Sequence, residues 1–163
     1  KITYPKNFDQ IQNEIKKNNL IARGNGRAYG DSSINEKNTI SMKYFNHILS
    51  FNDNSGILVV ESGILLDDII NSFLPKGWFP YVTPGSKFTT IGGLIAADVH
   101  GKNHHKEGSF RNFVEWFELI DSKGEIKKCS KICSCSSRAV SNFSLAIVSS
   151  IRFDFTISIP NSY

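Results

Sequence analysis

No apolar run in these 163 residues approaches the ~20 needed to cross a bilayer as a helix, and Lys1-Ile2-Thr3-Tyr4-Pro5 lacks the apolar core of a signal peptide. The expectation is a soluble, cytoplasmic protein, with peripheral membrane association left open. It is limited by the start at Lys1 without methionine, since a targeting segment ahead of it would leave no trace. Cysteine is scarce: Cys129, Cys133 and Cys135 form an odd, clustered set, which is no disulfide framework and matches none of the paired spacings of zinc sites. Free thiols are expected. A sustained basic stripe is also missing. The excess of 19 Lys and Arg over 15 Asp and Glu is scattered, as at Lys16-Lys17 and Lys127-Lys128, so nucleic-acid binding is not expected.

The common site motifs are absent as well. The Gly-Lys-Ser/Thr of a P-loop does not occur, nor does the His-Glu-x-x-His zinc helix, and no internal repeat is found. What is present is 40% hydrophobic and 21% charged, enough for a packed globular domain.

Phe8, Ile11 and Ile15 predict an amphipathic helix over Phe8 to Lys17, ended by Asn18-Asn19. Leu20-Ile21-Ala22 reads as a buried strand. Ile40-Ser41-Met42 and Ile48 to Phe51 read as strands, and Asn52 to Gly56 as a turn into the return strand Ile57 to Ser62. Leu65 to Leu74 predicts a helix stopped by Pro75 and Gly77. Trp78 to Val82 is either a core strand or a wall for a planar ligand. Val114 to Ile120 and Asp121 to Ile126 read as two strands across a tight turn, Cys129 to Ser141 is serine-rich, and Ile147 to Thr156 alternates as a final strand.

Two glycine-bearing stretches stand out. The first is Ala22-Arg23-Gly24-Asn25-Gly26-Arg27-Ala28-Tyr29-Gly30-Asp31, which fails the Rossmann fingerprint because the third glycine is misplaced and a loop follows. It remains a tight turn flanked by two guanidinium groups, Arg23 and Arg27: an anion nest or a solvated surface turn. The second runs through Pro84-Gly85-Ser86 and Thr89-Thr90-Ile91-Gly92-Gly93 to Asp98-Val99-His100-Gly101-Lys102-Asn103-His104-His105. Thr89 or Thr90 is placed to cap a helix starting near Ile91, whose first turn at Gly92-Gly93 would accept a phosphate. The histidines line a ligand or bind a metal, although Gly101 disfavours one helix through His100 and His104.

Together these stretches resemble the FAD-binding (PCMH-type) domain of the vanillyl-alcohol-oxidase superfamily, and within it the sugar oxidases of the decaprenylphosphoryl-ribose oxidase kind. The motif His100-Gly101-Lys102-Asn103-His104-His105 through Gly108-Ser109-Phe110 is fairly specific to that group, and the resemblance covers about residues 15 to 128. It implies an α+β fold of two small subdomains with FAD between them. It further implies oxidation of a hydroxyl-bearing carbon of a sugar or sugar-phosphate-lipid, with an NADH-dependent short-chain reductase as a possible partner. Carried over by position, Gly24, Asn25, Gly26, Arg27, Ala28, Gly85, Ser86, Gly92 and Gly93 would contact the pyrophosphate. Arg23, Tyr29 and Pro84 are expected to be cofactor-binding as well. Thr90, Ala96, His100, Gly101 and Asn103 would line the flavin, with His100 the nearest catalytic candidate.

Where many superfamily members carry a histidine bonded to flavin, this sequence has Arg27, so attachment is expected to be non-covalent. Ser134 to Ser144 lacks the family's Gly-Gly-x-Gly-like segment, and residues 129–163 diverge. The whole chain is read as an FAD-binding domain whose substrate domain is missing. The competing readings are a metal-dependent hydrolase using His100, His104 and His105, and a non-catalytic flavin-binding module.

Overall fold

The computed structural model describes residues 1–17, 19–130 and 147–154. Expectations for Asn18, Cys133, Cys135, the glycine-free stretch from Ser134 to Ser144 and the last residues of the final strand lie outside them.

Two sheets, each with its own apolar core, make an α+β fold of two subdomains. The smaller is a parallel sheet of β1 (Ile2–Thr3), β2 (Leu20–Arg23) and β3 (Asn38–Ser41), in the order β1-β3-β2. Helix α1 (Phe8–Ile15) covers it, its first turn capped by the Asn7 side chain, which accepts from the Gln10 N–H at 3.0 Å. The spacing of Ile11 and Ile15 delivers both to a core with Leu20, Ile40, Met42 and Phe45. A parallel pair cannot close through a hairpin. The crossover from β2 to β3 is residues 24–37, so the first glycine stretch emerges at the carboxyl end of a parallel strand, where open α/β sheets characteristically bind ligands.

The larger sheet is antiparallel, in the order β4-β5-β8-β6-β7, built from β4 (Ile48–Asn52), β5 (Ile57–Glu61), β6 (Val114–Ile120), β7 (Ile126–Ser130) and β8 (Ile147–Asp154). The last strand thus lies in the middle, between β5 and β6. Helices α2 (Leu66–Phe73) and α3 (Ile91–Ala96) supply Leu66, Ile69, Phe73, Ile91, Leu94 and Ile95 to its core. Each such burial contributes on the order of 1.5–3 kcal/mol. Ile120 of β6 is fully buried in the smaller core, and Gln12 Nε2 of α1 donates to the Gly124 carbonyl at 3.0 Å, so the subdomains share both apolar and polar contacts.

Three expectations differ in detail. β1 was not foreseen, because two residues carry no periodicity. The partner of β6 begins at Ile126, after a turn in which Asp121 accepts from the N–H groups of Lys123 and Glu125. The Lys127 ammonium also bonds Asp121 and holds its carboxyl down to about 2. Trp78 to Val82 forms no strand. Val82 is buried in the larger core, and the Tyr81 ring stacks on Phe113 at 4.3 Å.

Candidate functional site

The fold brings the two glycine stretches into contact. A Cβ built on Gly24 would stand 2.2 Å from Oγ1 and 3.0 Å from Cγ2 of Thr90, so only glycine admits this approach. One residue on, Asn25 Nδ2 donates to the Phe88 carbonyl at 2.9 Å. Gly26 then turns through φ 64°, the left-handed region, and lies directly against the Arg23 guanidinium. That guanidinium donates to the carbonyl and hydroxyl of Ser33 at 3.4 and 3.3 Å. Arg23 therefore braces its own loop from beneath, while Arg27 is exposed and free of ion pairs among the described residues. Among those residues, the backbone N–H groups of Gly24, Asn25, Gly26, Arg27 and Ala28 reach no protein acceptor. Such a turn suits a polyanion.

The first turn of α3 is different. Thr90 is its cap, as expected, and its Oγ1 accepts from the Gly93 N–H at 3.3 Å. The Ile91 N–H donates to the Ile64 carbonyl at 3.0 Å and that of Gly92 to the Ser62 carbonyl at 2.8 Å. All three donors are committed within the protein. The phosphate seat read into Gly92-Gly93 has no open N–H group there, and Gly92 is explained by packing: a Cβ on it would lie 2.9 Å from Ser62 Cβ. The open donors sit in the first loop instead. Gly93 and Ala96 are exposed, so the solvent face of α3 is nearly free of side chains.

Ser62 is 3% exposed, and its Oγ has no hydrogen-bond partner among the described residues. Deleting a buried hydroxyl that bonds nothing removes a desolvation cost. Ser62→Ala is expected to be neutral or to stabilise by up to about 1 kcal/mol, read as an unchanged or raised urea midpoint; a loss beyond that would mean the hydroxyl has a partner.

The histidine segment is anchored from below. Asn103 Nδ2 donates to the Tyr81 carbonyl at 3.0 Å, and a Cβ on buried Gly101 would meet the Thr83 carbonyl at 2.9 Å. These contacts tie it to the strand-less run leading into Pro84-Gly85-Ser86. Gly85 faces open space, with nothing within 4 Å of a built Cβ. α3 ends in a Schellman turn: the Val99 N–H bonds the Leu94 carbonyl, that of Asp98 bonds Ile95, and Asp98 adopts φ 42°. Arg111 Nε pairs with Asp98 at 3.0 Å, and the Phe110 N–H bonds the Val99 carbonyl, closing the loop at its base. His100 is exposed and bridges to Ser109, while His104 opens the short helix α4 (His104–Glu107). Ring centroids of His100 and His104 are 5.0 Å apart, and those of His104 and His105 are 6.1 Å apart. Among the described residues no three ligating side chains converge, so the hydrolase reading finds no metal site. Tyr29 is 99% exposed, and its carbonyl accepts from Ser32 Oγ at 3.0 Å within the first loop.

Residues 2–130 match a family described as FAD binding domain. The chain belongs to that family. The resemblance to PCMH-type flavoproteins thus holds, and FAD is the cofactor of this domain. Decaprenylphosphoryl-beta-D-ribose oxidase of Mycolicibacterium smegmatis is 41% identical over 109 residues, covering 66% of this chain and 24% of that protein. D-lactate dehydrogenase of Anaerostipes hadrus is 31% identical over 122 residues, 75% of this chain and 26% of its own length. The FAD-binding chain therefore spans about a quarter of these relatives. Among solved structures, alkyldihydroxyacetonephosphate synthase superposes with TM-score 0.83 at 16% identity, over 99% of this chain and 34% of that one, a likeness of fold. No helix among the described residues is long and apolar enough to cross a membrane.

The residues fit a dinucleotide in three respects: two side-chain-poor segments meet at Gly24 and Thr90, the turn at 24–28 has open N–H groups, and an unpaired cation, Arg27, stands beside it. Sequence reasoning missed Phe88, Ser62, Gly63 and Thr83. Nothing in the spacing of residues tells which carbonyl a glycine such as Gly63 packs against.

Proposed function

We propose that this chain is the FAD-binding part of an oxidoreductase that oxidises a CH–OH group of a sugar or sugar-lipid, with FAD held non-covalently. The observation that carries the reading is the junction at Gly24 and Thr90, which sets open N–H groups of the first loop beside Arg27. In this reading Gly24 to Ala28 hold the pyrophosphate, with Gly85 and Ser86 as the second wall. Arg23 keeps the turn in shape. Gly93 and Ala96 give a flat approach for a ring system, and Thr90 joins the two walls. Gly101 and Asn103 fix the segment that carries His100 to the rim, where its imidazole orients substrate or ring. When bound, the flavin supplies the hydride acceptor.

Non-covalent attachment rests on Arg27. A guanidinium stays protonated and offers no nucleophilic nitrogen of the imidazole kind. The sugar-type substrate is suggested by the name of the mycobacterial relative, and removal of the hydroxyl proton is assigned to residues outside this chain. The absorption spectrum of the purified 163-residue chain with added FAD tests the reading. Retained flavin bands that pass into the filtrate after denaturation are expected. A folded, colourless protein that takes up no FAD would sink it, and flavin that stays with the denatured chain would sink the non-covalent part.

A further inference from the structure

We infer that Phe88 is a positioning residue that holds Arg27 ready for the pyrophosphate, an inference that rests on the FAD reading above. Phe88 lies at the seam of the two glycine stretches and is 44% exposed, unusual for a phenylalanine side chain. Its carbonyl takes the Asn25 side chain at 2.9 Å, and its own N–H donates to Ser86 Oγ at 3.3 Å, so its backbone is pinned to both walls. The Arg27 guanidinium carbon is 5.7 Å from the ring centroid, within cation–π range. Lys87 is at 5.4 Å from the same ring, but its ammonium is neutralised by Asp67 at 2.8 Å. Of the two cations on the ring, Arg27 is therefore the one left to meet an anion.

A long exposed arginine surrenders rotamer freedom when it grips a ligand, and an aromatic platform removes part of that cost in advance. The ring also leaves the guanidinium edge, with its forked donors, free to accept a phosphate bidentately. Phe88 acts through Arg27 and need not touch FAD.

The test is a double-mutant cycle on the 163-residue chain, reading affinity for FAD and for riboflavin, which lacks both phosphates. Phe88→Ala is expected to weaken FAD about two- to five-fold, the usual size for an exposed cation–π contact, and to leave riboflavin unchanged. Phe88→Leu, which keeps bulk without the π face, should behave like alanine, and Phe88→Trp should restore affinity. In an Arg27→Ala background, Phe88→Ala should add nothing. An equal loss in that background, an equal loss for riboflavin, or wild-type affinity for Phe88→Ala overturns the inference while leaving the FAD reading intact. A folded wild-type chain that binds no FAD overturns both.

Discussion

Gly24→Ala is expected to weaken FAD binding by about ten-fold or more, equivalent to about 1.4 kcal/mol, and to lower stability by about 1–3 kcal/mol through overpacking. The added Cβ meets Thr90 Oγ1 at 2.2 Å, a distance that real side chains do not occupy. Thr90 cannot simply rotate away, because its Oγ1 caps α3 through the Gly93 N–H and its Cγ2 would itself lie 3.0 Å from the new carbon. The first loop must lift from the second, and the nest at 24–28 loses its wall. Isothermal titration with FAD and urea unfolding measure the two losses. Thr90→Ala alone should cost about 1 kcal/mol as a lost cap. Combined with Gly24→Ala it removes the two closest colliding atoms, so the double variant should be more stable than the sum of the single losses predicts. Strict additivity, with FAD affinity untouched, would show that the two stretches do not meet.

That junction is also where the limits of the sequence lie. The helices at Phe8–Ile15 and Leu66–Phe73 follow from apolar periodicity and their stop signals, and β2 to β6 follow from short β-branched runs. A threonine cap was legible too, since Thr89-Thr90 ahead of Ile91-Gly92-Gly93 is a local pattern, and the fold selects Thr90 of the two. Pairing was not. β8 reads as a strand from its alternation, but nothing local tells that it inserts between β5 and β6. The same gap explains the phosphate seat. Gly92-Gly93 looks like an open helix start until Ser62, 30 positions upstream, takes the Gly92 N–H and Ile64 takes that of the preceding Ile91, while Thr90 takes that of Gly93. Likewise Arg23 and Arg27 are equivalent in the sequence; Ser33 and Gly26 take one, and the Phe88 ring carries the other.

A circuit of backbone contacts, with Gly63 at its tightest point, holds the junction closed. The Met42 N–H bonds the Arg23 carbonyl at the mouth of the first loop. Met42 in turn lies against Gly63, where a Cβ would stand 1.9 Å from the Met42 carbonyl oxygen and 2.7 Å from that of Phe45. The Gly63 N–H bonds the Phe45 carbonyl at 2.7 Å, and its neighbours Ser62 and Ile64 hold the start of α3, which brings Thr90 back to Gly24. Gly63→Ala is expected to cost about 3 kcal/mol, the upper end for overpacking, because the colliding atoms are backbone and no rotamer change relieves them. The urea midpoint should fall accordingly. FAD affinity should fall as well, although Gly63 is placed nowhere near the cofactor. Gly85→Ala is the control for stability: with nothing within 4 Å of its Cβ, its unfolding free energy should stay within about 0.5 kcal/mol of wild type. Equal midpoints for the two variants would break the circuit as an account of how the first loop is held against α3.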